Sequence, residues 1–149
     1  MNSTRTLSLP DPAATAASAR ALGGLLRPGD VIGLSGDLGT GKTAFARALI
    51  QGLVGSDMPV PSPTFTLVQT YDTPVGPLWH CDLYRIEDPE ECWELGLSEA
   101  FESAVTLIEW PERMARFLPA KALAITFAYE GEGRSMTRSG GPSHLLGWP

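Results

Sequence analysis

The hydrophobic positions of this chain fall into short blocks. Val31-Ile32-Gly33-Leu34-Ser35 and Val105-Thr106-Leu107-Ile108 are compact apolar runs, the pattern of strands buried on both faces. A weaker alternation over Thr4–Leu9 predicts an edge strand. Asp11 followed by Pro12 reads as an N-cap with proline at the first helical position. Ala14, Ala17, Ala21, Leu22 and Leu25 recur at helical spacing, so a helix is expected to about Leu26, closed by the Pro28-Gly29-Asp30 turn. A second helix starts at Lys42, with Phe45, Ala48, Leu49 and Leu53 inward and Arg47 and Gln51 outward. Pro59, Pro61 and Pro63 mark an irregular loop. Phe65–Tyr71 and Leu78–Leu83 read as the strands of a hairpin. Asp88-Pro89-Glu90-Glu91 has the order of a capping box and predicts a helix to about Leu95. A short helix over Pro111–Phe117 and a long strand over Lys121–Tyr129 complete the pattern.

Strands and helices thus interleave around one strand–loop–helix unit, which is the α/β class. The hairpin makes the central sheet mixed rather than all parallel. The expected architecture is one P-loop NTPase domain over residues 1–130, its sheet flanked by helices. From Gly131 the chain turns to Gly and Ser, so residues 131–149, His144 included, are expected to form a partly disordered tail.

Composition narrows the class. A chain of 149 residues with 43% hydrophobic content can bury about two thirds of its unfolded surface without disulfides or structural metal. Cys81 and Cys92 are therefore expected as reduced thiols. The start, Met-Asn-Ser-Thr-Arg, has no apolar signal region, and no run approaches the ~20 residues that span a bilayer. The expected location is cytoplasmic, with no membrane partner. The net charge of -6, with only Lys42 and Lys121 as lysines and the arginines scattered, argues against unaided binding to nucleic acid.

The strongest chemical signal is Gly36-Asp37-Leu38-Gly39-Thr40-Gly41-Lys42-Thr43, which matches G-x-x-x-x-G-K-[ST] at every fixed position. Successive N–H groups from Asp37, Leu38, Gly39, Thr40 and Gly41 can wrap a phosphate, because glycine permits the backbone angles and the close approach. The helix beginning at Lys42 turns its positive end to the same anion. Lys42 is the candidate to reach the β- and γ-phosphates, and Thr43 to offer its hydroxyl to Mg2+. No Asn-Lys-x-Asp run marks a guanine pocket, which leans toward ATP.

Hydrolysis also needs a metal-holding acid and a group that orients water. Glu109 ends the apolar run Val105–Ile108, and Asp82 follows Leu78–Cys81. Glu109 is the candidate magnesium ligand and Asp82 the candidate for orienting the attacking water. Thr64, in Ser62-Pro63-Thr64-Phe65 on the loop after the second helix, is a candidate sensor of the γ-phosphate. His80 beside Cys81 does not read as a zinc site, because adjacent strand residues face opposite sides. Trp79, Trp93, Trp110 and Trp148 read as core or interface residues, with packing near a nucleotide as the alternative for Trp110, between Glu109 and Pro111.

Taken in order, Leu9-Pro10-Asp11 with Ala14-Thr15, the loop 36–43, Ser62-Pro63-Thr64-Phe65, His80-Cys81-Asp82-Leu83-Tyr84-Arg85, Asp88-Pro89-Glu90-Glu91 and Glu109-Trp110-Pro111 resemble the bacterial TsaE family over roughly residues 9–130. The resemblance implies an ATPase of tRNA threonylcarbamoyladenosine synthesis. It implies ATP at residues 36–43, Mg2+ on Thr43 and Glu109, Asp82 needed for hydrolysis, and Thr15 near the base or ribose. It implies TsaD-like and TsaB-like partners, with tRNA met only through that complex. Cys81 stands where the family often has an apolar or aromatic residue. The competing reading is a small-molecule P-loop kinase, but no Arg-rich lid is present beyond Arg85, Arg113 and Arg116.

Overall fold

The computed structural model describes residues 4–63 and 66–149. Its strands are β1 (Arg5–Leu9), β2 (Val31–Ser35), β3 (Val68–Thr73), β4 (Gly76–Asp82), β5 (Val105–Glu109), β6 (Leu123–Glu130) and β7 (Gly133–Gly140). Its helices are α1 (Pro12–Gly23), α2 (Lys42–Val54), α3 (Glu91–Glu94) and α4 (Leu97–Ser103), with a 3₁₀ segment over Pro111–Phe117 and another over Ser143–Leu145. All strands join one sheet in the order β1-β7-β6-β2-β5-β4-β3. The central strands β6, β2, β5 and β4 run parallel, while β3 joins β4, β7 joins β6 and β1 joins β7 antiparallel. The fold is therefore α/β with a mixed sheet, as expected.

The sheet separates two apolar cores. On one face α1 and α2 cover Ile32, Leu34, Leu78, Val105, Leu107, Leu123 and Ile125. On the other, α3, α4 and the 3₁₀ segment cover Val31, Cys81, Leu83 and Ile108. Alternation along β4 sends Leu78, His80 and Asp82 toward α2 and Cys81 the opposite way. At Gly33 the 3₁₀ segment comes so close that a Cβ would stand 3.1 Å from Pro111 Cγ. Because β2 lies between two parallel neighbours, the loop leaving its C-terminal end opens at the edge where α/β sheets bind ligands. Among the described residues, no helix is long and apolar enough to cross a membrane.

The local signals held where side chains act on their own backbone. The Asp11 carboxylate accepts the Ala14 N–H at 2.9 Å with Pro12 at the first position of α1. The Glu91 carboxylate accepts the Glu87 and Asp88 N–H groups at 3.1 and 3.4 Å, and Asp88 accepts from Glu90 at 3.0 Å. Other expectations shift. Helix α1 ends at Gly23, and its buried stripe is Thr15, Ala19 and Leu22, not Ala17, Ala21 and Leu25. Strand β3 begins at Val68, and the helix expected to reach Leu95 is one turn, followed by α4.

The largest correction concerns the C-terminus. Residues 131–149 do not form a partly disordered tail, and the domain does not stop at 130. Gly131, at φ 59°, helps turn the chain from β6 into β7, which pairs with β6 on one side and β1 on the other. Met136 and Arg138 of β7 are buried. Trp148 is 2% exposed, lies 6.1 Å from the Phe45 ring of α2 and donates Nε1–H to Ser18 O at 2.9 Å. His144 is anchored too, its Nε2 2.7 Å from Asp30 Oδ2.

Candidate functional site

The loop 36–41 leaves β2 and enters α2 through three glycines with positive φ: Gly36 (138°), Gly39 (80°) and Gly41 (110°). At Gly36 the conformation is demanded twice, since a Cβ would also lie 2.6 Å from Phe127 O and 2.7 Å from Thr40 Oγ1. Thr40, almost fully buried, donates its hydroxyl to Asp37 O at 2.7 Å and braces the loop from inside. Asp37, Leu38 and Gly39 are exposed along the rim.

Lys42, the first residue of α2, is buried within the loop's own span. Its Nζ donates to Gly36 O at 2.5 Å and to Asp37 O at 2.9 Å, and lies 4.3 Å from the centroid of the Trp110 ring. Burial pushes its pKa down from the ordinary 10.5, while Glu109, Glu112, Asp82 and Asp37 pull the other way. One lysine among four carboxylates is a poor site for a bare polyanion. It suits a polyphosphate that arrives with a cation.

The oxygen donors for that cation converge opposite the loop. Glu109 ends β5 and is paired across the parallel register with Asp82 at the end of β4. Both are buried. Thr43 donates its hydroxyl to Glu109 Oε1 at 2.7 Å. Asp82 Oδ1 accepts the Tyr84 N–H at 2.9 Å. A hydroxyl and two carboxylates at one strand edge form the hard-oxygen set that magnesium takes. Leu38, Gly39, Gly41, Lys42, Thr43, Asp82, Glu109 and Trp110 line one cavity of about 300 Å³.

A second cavity, of about 290 Å³, adjoins it at Gly39 and Gly41. Thr15, near the start of α1, lines its wall with Leu9, Pro10 and Arg134. The structure therefore brings Thr15, Leu38, Gly39, Gly41, Lys42, Thr43, Asp82 and Glu109 to two neighbouring cavities that share the loop, with Asp37 on the rim and Thr40 buried beneath it. Thr64 lies outside the described residues.

Two contributors, His80 and Arg134, escaped the sequence pattern, and a third, Trp110, has the place beside the loop that the sequence offered as its alternative to burial in the core. His80 is fully buried, and its Nε2 lies 2.7 Å from Glu109 Oε2. Against an ionised carboxylate, which only accepts, the form of His80 that makes this bond is the one with its proton on Nε2. Its position two residues before Asp82, on the same face of β4, was the available signal. Trp110 takes a left-handed conformation (φ 61°) directly after Glu109, which turns its ring into the cavity and against Tyr84 at 4.9 Å. Arg134 belongs to the segment expected as tail.

A sequence model of the family described as "Threonylcarbamoyl adenosine biosynthesis protein TsaE" matches residues 9–138. The tRNA threonylcarbamoyladenosine biosynthesis protein TsaE of Rickettsia bellii is 46% identical over 107 residues, covering 72% of this chain and 74% of that protein. The protein of the same name from Bacillus subtilis is 42% identical over 123 residues, 82% of this chain and 76% of that one. The crystal structure of Bacillus subtilis YdiB is similar with a TM-score of 0.81 at 31% identity, covering 98% of this chain and 93% of that chain. The span matched by the family holds the loop, both strand-end carboxylates and the greater part of β7, and on sequence and fold together the chain belongs to the TsaE family.

Proposed function

We propose that this chain binds ATP with magnesium and hydrolyses it as a component of tRNA threonylcarbamoyladenosine synthesis, acting with TsaD-like and TsaB-like proteins in the cytoplasm. The observation that carries the reading is the 2.7 Å bond from Thr43, at the start of α2, to Glu109, at the end of β5. It sets the motif's metal-binding hydroxyl beside a strand-end acid, with Asp82 the next residue across the sheet.

Each residue has a distinct task in this reading. The N–H groups of residues 37–41 and the start of α2 hold the phosphates. Lys42 gives up the Gly36 and Asp37 carbonyls for phosphate oxygens. Thr43 and Glu109 hold magnesium, which neutralises charge on the phosphate oxygens when bound. Asp82, fixed by the Tyr84 N–H, accepts a hydrogen bond from the attacking water and orients it. His80 holds Glu109 in place from the buried side. The cavity lined by Thr15 takes the nucleoside end. Thr64 is kept as the proposed γ-phosphate sensor on sequence grounds. The acidic balance of the chain supports a partner, rather than this protein, gripping the tRNA.

The test is phosphate release from ATP and magnesium, with and without purified TsaD–TsaB. Release that rises with the partner supports the proposal. Release that ignores the partner but rises with a small metabolite points to a kinase, and binding without release points to a nucleotide sensor. Lys42→Ala should abolish most calorimetric ATP binding, and unchanged binding would remove the loop from the account.

A further inference from the structure

The β6–β7 hairpin is fastened to the phosphate-binding loop at two consecutive carbonyls. Tyr129, near the end of β6, donates its hydroxyl to Leu38 O at 2.6 Å. Arg134, near the start of β7, donates to Gly39 O from Nε at 3.3 Å and from Nη2 at 3.2 Å. The two residues face each other in the hairpin register, and the guanidinium carbon lies 4.6 Å from the Tyr129 ring centroid. The remaining guanidinium nitrogen, Nη1, donates to Gly133 O at 2.9 Å, which fixes the plane of the group. Gly39 accommodates this contact, because a Cβ there would stand 2.8 Å from the Tyr129 oxygen.

The direction of these bonds matters more than their strength. In a trans peptide unit the C=O and the following N–H point opposite ways. Leu38 O shares its unit with Gly39 N–H, and Gly39 O shares its unit with Thr40 N–H. Holding both carbonyls toward the hairpin turns both N–H groups to the loop's inner side. Thr40 N–H donates on that side to Asp37 O at 3.3 Å, the carbonyl that Lys42 Nζ also reaches at 2.9 Å, so a bound anion would take both donors over from the same carbonyl. Such N–H groups bind an anion best when set before it arrives, since ordering a flexible loop costs affinity.

We infer that Tyr129 and Arg134 are positioning residues, which hold the Gly39 and Thr40 N–H groups toward a bound polyphosphate without touching it. This rests on the proposed binding of nucleotide at the loop. Tyr129 is 55% exposed and Arg134 half-buried at the turn end of the hairpin, and neither belongs to an apolar core, so their replacement spares the core.

The experiment compares calorimetric binding of magnesium ATP and of inorganic triphosphate to the wild type, Tyr129→Phe, Arg134→Gln, the double variant and Arg134→Lys. Thermal melts and amide shifts of Gly39 and Thr40 accompany it. Tyr129→Phe should weaken both ligands by the same factor, about two- to tenfold for one hydrogen bond. The double variant should lose more, Arg134→Lys should recover part of the Arg134→Gln loss, and the two amide shifts should move while the melt of the free protein stays put. Unchanged affinity in the double variant overturns the inference. So does a loss confined to ATP, which would place the hairpin's role at the nucleoside. A wild type that binds neither ligand would sink the nucleotide reading first, and this inference with it.

Discussion

His80 Nε2 and Glu109 Oε2 stand 2.7 Å apart with both side chains closed off from solvent, while the other Glu109 oxygen takes the Thr43 hydroxyl. One carboxylate thereby ties β4 and β5 to the first turn of α2. Removing the imidazole leaves a buried carboxylate one partner short, and hydrogen bonds to charged groups carry more stability than neutral ones. His80→Leu, close in volume but without a donor, should cost about 2–3 kcal/mol of folding stability. His80→Gln should recover part of that. Urea unfolding of the free protein checks it, and a His80→Leu midpoint at the wild-type value would mean that the contact does no holding.

Gly36 and Gly41 separate two causes that the loop motif merges. Both have positive φ, but only Gly36 also lacks room for a methyl group, with Phe127 O at 2.6 Å and Thr40 Oγ1 at 2.7 Å from a built Cβ. Nothing lies within 4 Å at Gly41. Gly41→Ala should cost only the left-handed strain, about 1–2 kcal/mol. Gly36→Ala should cost about 2–4 kcal/mol, because the collision involves a backbone oxygen that cannot swing away. Equal losses in denaturant titrations would show that the β6 backbone yields.

Trp148 carries the clearest consequence of the ordered C-terminus. Its ring is buried against Phe45 of α2, its Nε1–H reaches Ser18 O of α1, and its own carbonyl accepts from the buried Arg138 guanidinium. Trp148→Ala should therefore cost about 3–5 kcal/mol, the range for a large aromatic truncated in a core. Removal of residues 146–149 should cost at least as much. A free tail would tolerate both changes, so differential scanning calorimetry on either variant decides between the two pictures.

What could be read beforehand follows from how each element earns its burial. Strands β2 and β5 are covered on both faces, so they show as unbroken apolar runs, and their ends pointed to the loop and to Glu109. The phase of α1 was not legible, because an alanine-rich helix offers little contrast between its faces, and Thr15 rather than Ala17 turned inward. Strand β7 has a single large apolar side chain, Met136, and is held by hydrogen bonds to strands on both sides, a condition that no local pattern records. The meeting of His80 with Glu109 depends on the parallel register of β4 and β5, which the residues alone do not encode locally.

Cys81 and Cys92 are buried, and burial raises both thiol pKa values. The thiolate is the reactive form, so the native protein should resist alkylation well above neutral pH. Cys81 should be the slower of the two, having the large shift and facing the core behind β4. Iodoacetamide labelling followed by mass spectrometry should show modification only on unfolding in guanidinium. Rapid labelling of native Cys81 at pH 8 would contradict the packing on that face.

Lys42 sets a pH dependence whose sign can be worked out. Burial lowers its folded-state pKa below the ordinary 10.5 that it regains on unfolding. Between those two values the unfolded chain holds a proton that the folded chain does not, so stability rises with pH across that window. Below the lowered pKa the ammonium is charged in both states, and its desolvation penalty is carried in full. Lys42→Met keeps the aliphatic stem and removes the charge, so it should abolish this lysine's upward slope. Relative to the wild type, the variant should look most stable near neutral pH and lose that advantage as pH approaches 10.5. The Glu109, Glu112, Asp82 and Asp37 carboxylates oppose the effect by favouring the ammonium, which keeps the expected difference small. Urea midpoints of the two proteins at matched pH values measure it. A difference that grows with pH instead would mean that the carboxylates outweigh burial, and that the lysine is held in the loop by attraction.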